Sequence, residues 1–121
     1  MSRPVGPYAP ARRAGDWVVT SGQVGVRPGA GGAPSLVPGG TAGELRQALD
    51  NLAAVLETEG VGLDDVVKTT VFLVDMGDYA EVNEVWVERF TGARPARSAV
   101  AVAALPLGAR VEVEAWAYAG G

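Results

Sequence analysis

Arg97, in the run Arg94-Pro95-Ala96-Arg97-Ser98, is the residue whose type and setting most suggest chemistry in this 121-residue chain. Proline disfavours helix at the residue before it, so Pro95 closes the helical pattern upstream and leaves Arg97 at the start of a strand. From Ser98 to Ala104 the side chains are small and almost all apolar. The guanidinium is then a permanent charge at the lip of a buried strand, and its planar fork suits a carboxylate or a phosphate. A surface salt bridge at a strand end is the plain alternative. Glu112 and Glu114 come next. In a strand they share a face, because side chains alternate with a period of two, and two carboxylates on one face can serve as acid and base. A solvated face paired with Arg110 or another arginine is the competing account.

Four more residues belong in this inventory. Ser21, in Thr20-Ser21-Gly22-Gln23, sits where a strand ends, so its hydroxyl either meets a ligand or satisfies a turn. Tyr8 is the only aromatic residue among the first fifteen and is either an anchor or part of a site. Asn83 lies in a helical stretch, bonded to a neighbouring loop or simply exposed. Lys68, the single lysine, falls in a strand, where the lowered pKa that Schiff-base chemistry needs is rare. Trp17, Trp86 and Trp116 read as core or interface residues, since no basic patch accompanies them to make a stacking platform.

The composition narrows the chemistry further. There is no cysteine and no histidine. Disulfides, thiolate nucleophiles, Ser-His-Asp triads and His- or Cys-based metal sites are therefore out, leaving carboxylates, hydroxyls, arginine, backbone and water, with no metal or cofactor expected. A formal charge of −4, with nine arginines and one lysine spread along the chain, argues against a nucleic-acid surface. No apolar run approaches the roughly 18 residues that would span a membrane. The N-terminus carries Arg3, Pro4 and Pro7 in place of an apolar signal core, so no membrane association and a cytoplasmic setting are expected.

The elements that must position these residues can be read in order. Residues 1–15 form an extended, loosely structured lead-in rich in Pro and Gly. Asp16 to Gln23 is a strand ended by Gly22, and residues 25–40, with six Gly and three Pro, form a long loop or irregular hairpin. Thr41-Ala42-Gly43-Glu44 matches a capping box, followed by Leu45, Ala48, Leu49, Leu52, Val55 and Leu56 at helical spacing and Gly60 as the stop. Val66 to Val74 is the strongest strand and reads as central. Asp78 begins a second helix, with Glu81 as a further capping signal, an apolar face of Tyr79, Val82, Val85, Trp86 and Phe90, and Gly92 closing it. The strand from Arg97, the Pro106-Leu107-Gly108 turn and an alternating strand from Arg110 to Tyr118 complete a single domain over 1–121. The result is an α+β sheet with two helices on one face. The strand from Ser98 to Ala104 is apolar on both faces, so its second face needs a cover, and another copy of the chain is expected to supply it. An obligate homo-oligomer follows, with any pocket near Arg97 at a subunit boundary.

Six motifs occur together in the order and spacing of the reactive intermediate deaminase family, also called Rid or YjgF. They are Gly6-Pro7-Tyr8, Thr20-Ser21-Gly22-Gln23, Val67-Lys68-Thr69-Thr70-Val71-Phe72, Val82-Asn83, Pro95-Ala96-Arg97-Ser98 and Val111-Glu112-Val113-Glu114-Ala115. The chain resembles that family over nearly its whole length. The resemblance implies a chorismate-mutase-like α+β fold, a homotrimer with a central barrel, and clefts between subunits. It also implies hydrolysis of carboxylate-bearing enamines and imines, such as 2-aminoacrylate, to 2-keto acids and ammonia, without a cofactor. In that scheme Arg97 holds the substrate carboxylate, Tyr8 and Ser21 line the cleft, Asn83 supports it, and Glu112 positions the attacking water. Ala99 stands where many members have cysteine and Ala101 where many have glutamate, which makes the cleft less polar. A non-catalytic regulator that binds small carboxylates is the alternative. A dedicated biosynthetic step on a larger imine is another, and a ribonuclease is disfavoured by the acidic charge and the missing histidine.

Overall fold

The computed structural model describes residues 6–29 and 33–120. Strands β1 (Ala11–Ala14), β2 (Trp17–Thr20) and β3 (Gln23–Val24) precede helix α1 (Gly40–Glu57). Strand β4 (Val66–Leu73), helix α2 (Tyr79–Arg89), β5 (Ala96–Ala101) and β6 (Val111–Tyr118) follow. They form one sheet in the order β1-β2-β6-β4-β5, with β3 pairing β6 beyond the end of β2. The β4–β5 pair is parallel and the others antiparallel. This is the α+β arrangement that the sequence pattern predicts, with β4 inside the sheet as its composition requires.

Alternation along β6 separates the two faces. Val111, Val113, Ala115 and Ala117 are fully buried, while Glu112 and Glu114 are half-buried and Trp116 and Tyr118 exposed. The buried row packs under both helices. Leu45, Leu49, Leu52 and Leu56 of α1 join Val82, Val85 and Trp86 of α2 and Val71 and Leu73 of β4 in one cluster. Each such side chain contributes about 1.5 to 3 kcal/mol on removal from water, which makes this layer the principal store of stability. The other face carries Thr70, Phe72, Val100, Glu112, Glu114, Trp116 and Tyr118 and receives no helix among the described residues.

Helix α1 ends as predicted. Gly60 has φ 76°, the Val61 N–H reaches back to the Leu56 carbonyl (3.2 Å) and the Gly60 N–H to that of Glu57 (3.0 Å). This is a Schellman closure, which a glycine at that position favours. The start of α1 departs from expectation. The helix begins at Gly40 behind a left-handed Gly39, without a side-chain cap. Thr41 Oγ1 instead donates to Asp78 Oδ2 (2.7 Å), and Glu44 Oε1 accepts from the Arg110 N–H (2.8 Å). Glu81, expected to cap α2, accepts from the Ala42 N–H at the head of α1 (3.0 Å). Residues that match local capping patterns thus serve neighbouring elements, because packing places stronger partners beside them. Helix α2 starts at Tyr79 after a 3-10 turn over Met76–Asp78 and ends at Arg89, three residues before Gly92.

Three further readings are corrected. The lead-in contains β1, joined to β2 through Gly15 at φ 60°; its exposed Ala-Arg-Arg-Ala sequence lacks the alternation that would have revealed it. The first predicted strand is broken at Ser21-Gly22, so β2 and β3 pair β6 at separate places. The strand bearing Arg97 stops at Ala101 and lies at the sheet edge, where Val100 and Ala101 are exposed within one chain. The Gly/Pro segment is an irregular hairpin, bridged at Val26 and Leu36 and bonded from the Arg27 N–H to the Ser35 carbonyl (2.9 Å). Buried Asn51 of α1 holds it by donating to the Val24 and Val26 carbonyls (both 3.0 Å). The middle of this loop, residues 30–32, and the N-terminal Arg3 and Pro4 lie outside the described residues.

Candidate active site

Arg97 pairs with Thr69 of β4, a fully buried helix-side position, so its side chain rises on the face that carries α2. There it meets three residues of that helix. Nη2 donates to Asn83 Oδ1 (2.7 Å) and to the Tyr79 hydroxyl (3.2 Å), and the guanidinium carbon lies 5.0 Å from the Trp86 ring centre and 5.4 Å from that of Tyr79. Positions 79, 83 and 86 share one stripe of a helix, since side chains three and four apart are neighbours. Aromatic rings attract a cation through their negative faces, so the guanidinium is both bonded and clamped. Among the described residues no carboxylate lies within 4 Å of it, and the plain salt-bridge reading is therefore not what the fold builds.

Glu112 occupies the opposite face, paired with Phe72 of β4 and Val24 of β3. Its carboxylate lies against Gly22 so closely that a Cβ there would sit 2.5 Å from Oε1. Half burial pushes the Glu112 carboxyl above the ordinary glutamate range, and the like charge of Glu114 adds to this. Among the described residues no donor or cation answers its oxygens. Ser21, beside Gly22, donates its hydroxyl to the Ala9 carbonyl (2.6 Å) and its N–H to that of Pro10 (2.9 Å). These bonds fasten the segment that carries Tyr8, itself exposed, to the end of β2. The serine proton is thus taken by a turn, and its oxygen remains an acceptor. Lys68, on the uncovered face, donates to Ser98 Oγ (2.8 Å).

The sequence-predicted residues therefore fall into two groups. Arg97 and Asn83 come together under α2; Ser21, Glu112 and the Tyr8 segment come together around Gly22. One chain does not join the two. Arg97 is level with Ala115 of β6 through Thr69, so Glu112 is two strands across and three residues along. That spacing is about 14 Å between backbone positions, and the two side chains leave opposite faces of the sheet. Trp86 is buried in the core as the apolar spacing predicts, and both it and Tyr79 also contact the guanidinium, a contact that sequence reasoning did not foresee. Their spacing with Asn83 was the available signal.

One mixed sheet with two helices on a single face, and a clamped arginine at its edge, defines the class as a small α+β fold. The chain belongs to the family described as Endoribonuclease L-PSP, whose profile matches residues 1–119. This is the Rid or YjgF family. It is 48% identical over 116 residues to the mouse 2-iminobutanoate/2-iminopropanoate deaminase, covering 96% of this chain and 84% of that protein. The Escherichia coli protein of the same name is 42% identical over 114 residues, covering 92% and 86%. The crystal structure of RidA from an Antarctic Psychrobacter superposes with a TM-score of 0.90 at 40% identity, covering 97% of this chain and 92% of that one.

Proposed function

We propose that this protein is an enamine/imine deaminase that hydrolyses carboxylate-bearing imines to 2-keto acids and ammonia. The observation that carries this reading is the Arg97 guanidinium, oriented by Asn83, Tyr79 and Trp86 and facing no carboxylate among the described residues. It is a preset seat for a small carboxylate, and a hydrogen bond between charged groups is worth about 1.5 to 3 kcal/mol there. The names of the mouse and Escherichia coli relatives supply the substrate class.

The chemistry needs no nucleophilic side chain. An enamine such as 2-aminoacrylate takes a proton at C3 to become the protonated imine, the iminium, whose C2 is electrophilic. Water adds to C2 as its proton passes to a base; the carbinolamine then loses ammonia as its hydroxyl gives up a proton, and the keto acid remains. Glu112 is the base and acid in this scheme, and burial, with the like charge of Glu114, raises its pKa and so strengthens it as a base. Arg97 binds the substrate, Asn83 holds Arg97, and Tyr8 and Ser21 line the side of the cleft where Glu112 stands. Most of the acceleration comes from holding the imine carbon beside an oriented water.

Because Arg97 and Glu112 leave opposite faces, we place the complete site between chains, Arg97 from one and Glu112 from its neighbour, in a homotrimer whose uncovered sheet faces meet. The test is release of pyruvate from 2-aminoacrylate generated in the cuvette. Arg97→Ala and Glu112→Gln are each expected to lose at least about a hundredfold in turnover, and co-refolding the two variants to recover a fraction of it. Recovery requires sites that draw on two chains. Activity in either single variant near wild type removes that residue from the mechanism; no recovery on mixing places the site within one chain. Saturable keto-acid binding without turnover in the wild type would mark the non-catalytic regulator.

A further inference from the structure

The way Arg97 is held limits how it can grip a ligand. A guanidinium embraces a carboxylate bidentately through one of two edges, Nε with Nη2 or Nη1 with Nη2, and both edges use an Nη2 hydrogen. Nη2 carries two hydrogens, and two acceptors already stand against it, Asn83 Oδ1 at 2.7 Å and the Tyr79 hydroxyl oxygen at 3.2 Å. Neither edge is fully free. Nε and Nη1 have no partner among the described residues, so Arg97 offers a carboxylate single N–H groups beside an engaged Nη2. The tyrosine hydroxyl changes this balance. It accepts from Arg97 and still owns one O–H donor, for which the structure shows no acceptor among the described residues. Tyr79 is 40% exposed, so that donor opens to the outside of the chain at the same edge as the guanidinium.

We propose that Tyr79 is a further substrate-binding residue, whose hydroxyl donates to the substrate carboxylate alongside one N–H of Arg97, so that the grip is shared between the two side chains. This rests on the reading of Arg97 as the carboxylate seat. The oxygen that accepts from the guanidinium is polarised by it, which makes its proton a better donor. Trp86, 5% exposed and 5.0 Å from the guanidinium carbon, fixes the plane of the charge so that the free N–H and the tyrosine O–H meet the same ligand. Asn83 takes the shorter of the two Nη2 bonds and acts as the positioning residue, with no direct role toward the ligand.

The experiment is calorimetric titration of the full-length protein with pyruvate and with its uncharged amide, pyruvamide. Wild type, Tyr79→Phe and Arg97→Ala are compared. Tyr79→Phe keeps the ring against the guanidinium and deletes only the hydroxyl. Its pyruvate affinity is expected to fall about tenfold, its pyruvamide affinity to stay within twofold, and KM for the imine to rise with kcat nearly constant. A merely structural tyrosine would move both ligands together, or neither. If Arg97→Ala abolishes pyruvate binding and Tyr79→Phe binds it as wild type does, Arg97 stands as the seat and the shared grip is overturned. If Arg97→Ala also binds like wild type, the carboxylate seat itself is wrong and the shared grip falls with it.

Discussion

Adding one methyl group at Gly22 isolates the position of the Glu112 carboxylate from its presence. A Cβ built there lies 2.5 Å from Oε1, 2.6 Å from Cδ and 2.8 Å from Cγ of Glu112. Ordinary contacts between such atoms are about 3.5 Å or longer, so in Gly22→Ala the carboxylate must retreat by about 1 Å. The backbone does not oppose the change, because Gly22 is not among the residues with positive φ. The crowding falls on a flexible side chain, and restricting the unfolded chain even returns about 0.4 to 1 kcal/mol. Stability is therefore expected to hold or rise slightly, by up to about 4 °C in the thermal midpoint. Catalysis is not. A misplacement of about 1 Å in a reacting group costs about a hundredfold, or about 2.7 kcal/mol in the barrier. The assay is keto-acid release, wild type against Gly22→Ala, repeated in a Glu112→Gln background. The methyl should cost about a hundredfold in the first pair and little in the second, since the group it displaces is already disabled. A full hundredfold loss in the Glu112→Gln background would show that Gly22 acts through something else, and wild-type turnover in Gly22→Ala would refute the placement of Glu112 as the reacting carboxylate.

Two further perturbations bear on stability. Burial and Glu114 raise the Glu112 pKa in the folded protein, so the native state binds this proton more tightly than the unfolded chain does. The resulting stabilisation is present below the unfolded value of about 4.3 and is lost as pH rises through the folded value. Urea titrations from pH 4 to 8 should therefore find Glu112→Gln gaining on wild type as pH rises and at least as stable at pH 7; a wild type that gains instead would contradict the shift. Asn51→Ala should strip two buried carbonyls of their donor and cost about 1 to 3 kcal/mol, lowering the thermal midpoint by about 4 to 12 °C, and an unchanged midpoint would deny its hold on the Gly/Pro hairpin.

What was legible in the sequence was what depends on periodicity. The alternation of β6 and the apolar spacing of α1 fix which face of each element is buried, and both emerge as read. Strand β4 was legible for the same reason, since a run such as Val66–Leu73 is stable only with partners on both sides. What depends on strand order was not. Nothing local in Arg97 or Glu112 says that the two stand on opposite faces; that follows from the parallel β4–β5 pairing and the register of β4 with β6. Tyr79 and Trp86 were hidden by their own hydrophobicity, which accounts for them in a helix before any role with a cation is considered. The turn serine was settled by a bond to Ala9, twelve residues away, that spacing alone does not reveal.

The start of α1 has a consequence for the order in which the chain acquires its shape. Gly39 and Gly40 both take left-handed conformations there, and the partners that fix the opening turn, Asp78 and Glu81, lie 37 and 39 residues further along. A chain leaving the ribosome exposes the whole of α1 before either acid has emerged. During that interval the helix has a definite end, at the Gly60 closure, and a ragged beginning, since its first donors have only water to satisfy them. Synthesis of α2 therefore does more than add a second helix to the layer: it tells the first one where to begin.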